Sequence, residues 1–386
     1  MPRVFPFVGL VFDPAVTGPL DAVTAPPYDV IGDDARRGYL AASPYNVVRL
    51  DLAERDPGGD GYATTGALLR RWQTEGALVP SPEAFFAYEM RFRLHGAERR
   101  IRGVLCAMEL EDWGGRVIPH ERVMAGPVED RLQLLRATRA NVSAIYGTIQ
   151  GPCRPLAGLL DSIADAPPLR ASDDEEGVRH RLWALPSDTP VPALLGEETL
   201  LIADGHHRYT TALHYRDERR ADEGAGPWDR MLTLIVDSGT EEPPVLPFHR
   251  IVVRGQPPTG GTRVRDLQEV LAEVDDELLR YGVATREGGV LVHRVAELPG
   301  SPPAVRALHE HVLDPDLRAG EDVRFTPDAV AADDAVRSGE ASAAYFLPPT
   351  TTDAIRAVID RGERLPQKST YFWPKPRTGM LIRPVG

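Results

Sequence analysis

The chain has 386 residues, 42% of them hydrophobic and 26% charged, with a formal net charge of -13. That length calls for two or three domains, and the composition is that of an ordered globular protein. An acidic balance argues against a nucleic-acid backbone as partner, whereas a small anionic ligand needs only a locally positive pocket. Cys106 and Cys153 are too few for a disulfide framework or a zinc site and read as buried thiols of a reducing compartment. No run approaches the roughly 20 apolar residues of a membrane span. Val4 to Phe12 is short and is followed by Asp13-Pro14 with no small-residue cleavage site, so it reads as a strand and not as a signal peptide. These features predict a cytoplasmic protein without a membrane partner.

Along the chain, a first region (1–115) mixes turns and hairpin-like strands. Thr24 to Asp29 contains two prolines, which stiffen the turn that carries Tyr28 and Asp29. Tyr62 to Leu78 has helical apolar spacing, and Phe85 to Leu94 with Arg100 to Leu110 form a hairpin around His95-Gly96. The second region (116–240) has a helix over Val128 to Ala140, strands over Ser143 to Ile149 and Leu200 to Asp204, a helix over His206 to Arg220, and a strand over Met231 to Val236. The third region (241–386) opens on Phe248 to Arg250 leading a strand, then a Gly/Pro-rich loop at Gln256 to Gly261. Helices are expected over Arg265 to Val274, Pro327 to Arg337 and Thr352 to Gly362, and strands over Ala343 to Leu347 and Met380 to Ile382. Helices and strands interleave without strict alternation, so the class is α+β, or mixed α/β.

The densest polar run is Asp204-Gly205-His206-His207-Arg208, placed where a buried strand turns into a helix. Gly205 permits the sharp turn. The helix start offers unpaired N–H groups and the positive end of the dipole to an anion. Arg208 adds bidentate bonds to phosphate oxygens, and Asp204 is placed to hold Mg²⁺ or orient a hydroxyl. His207 and His214 lie about 10 Å apart along the helix, too far to share a zinc ion. A second run, His120-Glu121, pairs an imidazole with a carboxylate that can take a proton from an alcohol. Arg131 and Asn141 follow it, and His249, Arg250 and Lys368 are further groups that can converge on phosphates. No Walker loop, dinucleotide fingerprint or protein-kinase set is present.

Of the 44 basic residues only two are lysine, Lys368 and Lys375. Arginine supplies positive charge everywhere else, so these two positions are candidates for a role that needs a compact ammonium.

Several runs together resemble the domain-of-unknown-function 1015 family. They are Ala25 to Ile31, His120 to Arg122, Arg131 to Ile145, Ala203 to Tyr209, Pro247 to Arg250 and Lys368 to Lys375. That family is distantly similar to the ParB/sulfiredoxin superfamily, which includes kinases of free serine with an Asp-Gly-His-His-Arg type run. The resemblance implies a ParB/sulfiredoxin-like central domain flanked by N- and C-terminal α+β regions. It also implies nucleotide-phosphate binding at Gly205, His206, His207 and Arg208, metal or hydroxyl contact at Asp204, and Glu121, with His120, as the base. His206 stands where sulfiredoxin needs cysteine, which excludes that chemistry, and the acidic chain lacks a ParB-type recognition helix. The implied activity is phosphorylation of free serine or a related amino acid, with Mg²⁺ and ATP, ADP or CTP as donor. The alternative is a non-catalytic nucleotide sensor.

Overall fold

The computed structural model describes residues 1–52, 61–149, 151–255, 258–313 and 323–386. These divide into two compact units. The first holds Met1–Pro119, Val123–Pro243 and Pro374–Gly386; the second holds His120–Arg122 and Pro244–Trp373. Both mix helices with sheets, so the α+β class holds. Residues Gln256 and Pro257 of the expected Gly/Pro-rich loop lie outside the described residues.

The first unit is organised by a long hairpin, Leu78–Leu94 with Ala97–Glu109. His95 and Gly96 form its two-residue turn, both at positive φ (50° and 81°), the geometry that matches strand twist. Arg230–Asp237 pairs with one side of this hairpin and Arg179–Pro186 with the other. Ile145–Ile149, Leu200–Asp204 and Val117–Ile118 extend the sheet beyond Arg230–Asp237. Gly103 is required inside the hairpin, because a Cβ there would stand 2.3 Å from the Ile235 carbonyl oxygen of the neighbouring strand.

Strands from residues 1–115 and from 116–240 pair within this one sheet. The C-terminal tail also returns to the first unit: Arg383–Pro384 pairs with Ala140–Asn141. Met380 to Ile382 forms no strand and contributes a single bridge, Ile382 to Leu10. Phe12, Leu50, Leu69, Trp72 and Leu78 build one core cluster, with the Trp72 ring 5.8 Å from that of Phe12.

The second unit is a six-stranded, wholly antiparallel sheet. Its order is Thr262–Val264, Val290–Glu297, Arg280–Glu287, Ala343–Phe346, His249–Val252, Val323–Thr326. Alternate residues serve two cores, as the period of a strand dictates. Ile251, Ala284 and Phe346 meet the helices Leu267–Glu273 and Ala329–Arg337, while Val252, Val283 and Tyr345 meet Ala304–Leu308. No described helix in either unit is long and apolar enough to cross a membrane.

Two helices of the first unit, Gly61–Thr74 and Ala125–Thr138, approach at Gly66, where a Cβ would stand 2.2 Å from the Ala137 carbonyl oxygen. Alanine is the better helix former by about 1 kcal/mol. Backbone cannot yield as a side-chain tip does, and such overpacking costs about 1–3 kcal/mol. The clash should therefore win, and Gly66→Ala should lower the thermal unfolding midpoint by a few degrees. A raised midpoint would mean that the two helices part without cost.

Candidate functional site

The site begins with a strand that is buried for its own reasons. Leu200, Leu201, Ile202 and Ala203 are all buried, and the strand pairs antiparallel with Ile145–Ile149. The register slips between Ile202 and Asp204, and such a bulge redirects the side chain that follows it. Gly205 then adopts φ +102°, and a Cβ there would lie 2.8 Å from Ile145 Cγ2 and 3.2 Å from the Arg208 guanidinium. The helix His206–Glu223 starts immediately afterwards.

Bulge and glycine together bring Asp204 between two cations. Its Oδ1 accepts from Lys375 Nζ at 2.5 Å, and its Oδ2 accepts from Arg208 Nη2. Lys375 Nζ also donates to both carboxylate oxygens of Asp29, at 3.1 and 3.3 Å. Arg208 Nη1 donates to Ser143 Oγ at 3.0 Å and to the Ala144 carbonyl. Arg208 and Lys375 are 7% and 8% exposed. In so dry a setting charge-assisted bonds are strong, and an unpaired charge is costly.

A second ion-pair cluster adjoins this one. Arg131 is buried and donates from Nη1 to Asp51 Oδ1 (2.9 Å) and to the Asp51 carbonyl (2.6 Å). Its Nε and Nη2 donate to Asp130 Oδ2 at 2.9 and 2.6 Å, and its guanidinium lies 4.1 Å from the Tyr28 ring centroid. Burial pushes the Tyr28 hydroxyl and the Asp51 carboxyl above their usual ranges, with Arg131 and Arg208 working the other way on both. A cavity of about 40 Å³ is bordered by Asp51, Arg131, Asn141, Ser143 and Arg208. Asn141 takes a structural part as well: its Oδ1 accepts from the Leu232 amide at 3.0 Å and from Arg383 Nη1 at 3.3 Å.

The two histidines differ. His206 is buried and stacks on Trp113, ring centroids 6.5 Å apart. His207 Nε2 accepts from the Met124 amide at 3.0 Å, which leaves any proton of the neutral ring on Nδ1.

The remaining expected residues belong to the second unit. Glu121 accepts from the amides of Lys368, Ser369 and Thr370 at 3.1, 3.0 and 2.9 Å, and from Thr370 Oγ1 at 2.9 Å. His120 is fully buried, with Nε2 2.7 Å from Thr370 Oγ1 and its ring edge-on to Phe372. The Glu121 carboxylate therefore fastens the 368–370 segment. Lys368 takes φ +53°, with its ammonium 5.3 Å from the Phe248 ring centroid. Arg250 is completely buried, bonded to the Phe248 carbonyl and to His309 Nε2. Burial, reinforced by Arg250, pulls His249 down to about 4, so at neutral pH it brings no positive charge for phosphate.

A resident Mg²⁺ does not fit at Asp204. Both its carboxylate oxygens already hold cationic side chains, and among the described residues no three His, Cys, Asp or Glu side chains gather as a metal site.

Residues 4–310 match the family described as "Protein of unknown function (DUF1015)". The chain belongs to this family. No curated protein matches it. Among solved structures it is similar to a free serine kinase in complex with AMP, at 13% identity and a TM-score of 0.38, over 66% of this chain and 83% of that one. A conserved hypothetical protein from Pyrococcus furiosus matches at 14% identity and a TM-score of 0.38, over 67% and 90%. SbnI from Staphylococcus aureus with a C-terminal truncation matches at 11% and 0.32, over 68% and 82%.

For this DUF1015 chain, sequence reasoning singles out Asp204 to Arg208 and, through the lysine bias, Lys375, but neither Asp29 nor Asp51. The lysine bias was the available signal, but it singles out Lys368 and Lys375 equally; only Lys375 meets Asp204. Replacing Lys375 by methionine leaves Asp29 and Asp204 facing each other without their shared cation, which should cost about 3–5 kcal/mol. Lys368→Met forfeits a cation–π contact of about 0.5–1 kcal/mol. Denaturant unfolding of the two variants should differ accordingly. Equal, small losses would show that the two carboxylates do not depend on Lys375.

Proposed function

We propose that this DUF1015 protein is a nucleotide-dependent kinase that phosphorylates the hydroxyl of a small molecule, free serine or a related amino acid. The observation that carries the reading is the Asp204 carboxylate held between Lys375 and Arg208 at the start of a helix. Two buried cations beside a helix start whose cap, Gly205, supplies no side-chain hydrogen bond suit the oxygens of a transferring phosphoryl group, whose stabilisation is the main work of such a reaction. Phosphate oxygens compete with Asp204 for the same ammonium and guanidinium. Donor binding thereby frees Asp204 where the acceptor hydroxyl has to lie.

In the transfer step the hydroxyl oxygen bonds to the terminal phosphorus, the bond from phosphorus to the leaving nucleoside phosphate breaks, and the hydroxyl proton passes to Asp204. Lys375 and Arg208 hold the charge that moves onto the phosphoryl oxygens. Gly205 and the first turn, with His206 and His207, shape the cradle. Mg²⁺ would come in on the donor's phosphates and supply charge neutralisation there. Glu121, expected as the base, is engaged by the 368–370 amides, and Asp204 takes that role in this mechanism. The donor is ATP, ADP or CTP.

A nucleotide sensor is favoured by one feature: the ion pairs of Asp29, Lys375, Asp204 and Arg208 are complete without any ligand. Phosphorus NMR of the protein with serine, Mg²⁺ and each donor in turn separates the readings. The kinase reading expects O-phosphoserine to appear with one donor, and Asp204→Asn to slow its formation by about 10²- to 10⁴-fold. Donor line-broadening without product would support the sensor, and neither effect would end the phosphate-site reading.

A further inference from the structure

Lys375 stands between Pro374 and Pro376, and proline restricts both itself and the residue before it. The stiff segment is therefore aimed by whatever holds the next residue, Arg377. The Arg377 amide donates to the Tyr88 hydroxyl at 3.0 Å, and the Thr378 amide donates to the Ala25 carbonyl at 2.8 Å. The Arg377 guanidinium donates to Thr24 Oγ1 at 3.3 Å and to the Thr24 carbonyl at 3.4 Å, and pairs with Glu175 at 2.8 Å. Thr24 and Ala25 lead into the turn that carries Asp29, so both partners in the Lys375–Asp29 pair hang on these contacts.

Behind Tyr88 stands a second layer. The Tyr88 hydroxyl lies 2.9 Å from His180 Nδ1, and His180 Nε2 lies 3.0 Å from Asp174 Oδ2. Tyr88 and His180 are 1% and 0% exposed. Asp174 Oδ1 accepts from the amides of Glu176 and Val178 at 2.9 and 2.7 Å. Burial opposes ionisation of Asp174, but His180 and the Val178 amide hold it below the usual carboxylate range. A carboxylate only accepts, so the imidazole proton is on Nε2. Nδ1 then accepts the Tyr88 proton, and the Tyr88 oxygen is left to accept from Arg377. Each direction in the chain is fixed by the one before it.

We infer that Asp174, His180 and Tyr88 are a positioning relay for Lys375, which holds only while His180 is neutral with its proton on Nε2. The inference rests on the reading of Lys375 as a phosphate-site residue. Charging the imidazole puts a proton on Nδ1 as well. The Tyr88 oxygen then meets two N–H donors, and its own proton loses its acceptor, with no other bonded to it among the described residues. The charged and titratable groups around His180 are Asp174, Glu175, Arg377 and Tyr88. Burial pulls the imidazole below its ordinary value, with Asp174 and Glu175 working the other way and Arg377 adding to the pull. The sign follows: the contribution of His180 is complete above the ordinary imidazole value and is lost as pH falls through the lowered one.

The full-length protein without nucleotide, labelled with ¹³C-lysine and ¹⁵N-histidine, tests this by NMR. At mildly alkaline pH, His180 should carry its proton on Nε2. As the pH falls, the Lys375 ε-carbon signal should shift with the midpoint of the His180 titration, and Lys368 should not follow. His180→Gln keeps a donor and an acceptor but cannot titrate, so it should hold the alkaline Lys375 position and lose that step. Tyr88→Phe should displace the Lys375 signal already at alkaline pH, whereas a hydroxyl that merely fills the core would lower stability and leave the signal in place. A proton on Nδ1, a Lys375 shift while His180 stays neutral, or a folded Tyr88→Phe protein with Lys375 unmoved would each overturn the inference. The wild-type spectra decide the first two even where a variant folds poorly. A relay that passes in a protein whose Lys375 signal ignores nucleotide would leave this inference standing while the phosphate-site reading falls.

Discussion

The candidate site depends on one ammonium group. Lys375 Nζ sits between the carboxylates of Asp29 and Asp204, which the chain brings together from its two ends and its middle. Two carboxylates at such close quarters repel each other unless a cation lies between them, and in a buried setting the repulsion is little screened. Arg208 closes the other side of Asp204, so the cluster has a definite arrangement and not merely a balanced charge. A planar guanidinium in place of Lys375 would spread its charge over a fork, whereas a point charge can serve both carboxylates at once. In a chain whose only other lysine is Lys368, that is a physical reason for lysine at this position.

The backbone around the cluster follows from the same requirement. Leu200 to Ala203 are buried in the sheet, so Asp204 arrives at its edge with little freedom, and the slipped register re-aims it. Gly205 must lack a Cβ for Ile145 and Arg208 to close around the turn. Tyr28 and Asp29 leave a stiff Pro-Pro turn, and the tail beyond Lys375 is pinned by the pairing of Arg383–Pro384 with Ala140–Asn141. A fixed frame is what a phosphate site needs, because groups that do not reorganise stabilise transferring charge most effectively.

How much of this was legible in the sequence follows from the range of the interactions. Leu200–Asp204 and the start of the following helix are written in four consecutive apolar residues and a glycine, and the structure has them at the expected positions. The hairpin around His95-Gly96 is equally local. Asp29 and Lys375 are 346 residues apart, and no periodicity or spacing joins them. His120-Glu121 looks in sequence like acid–base machinery, an imidazole beside a carboxylate, whereas the bridge to Leu365 and the three backbone amides that engage Glu121 are long-range contacts no local pattern encodes. In the first unit, strands from distant segments share one sheet. That sharing is a tertiary choice which local pattern does not encode.

The scarcity of lysine makes the central claim directly observable. Protein labelled with ¹³C-lysine should give two side-chain ε-carbon signals, one from each lysine, and Lys368→Arg assigns them. If phosphate oxygens displace Asp204 from Lys375, adding ATP, ADP or CTP with Mg²⁺ should shift the Lys375 signal in a saturable way and leave that of Lys368 nearly in place. A saturable shift confined to Lys368, or none at either lysine with any of the three nucleotides, would contradict the account.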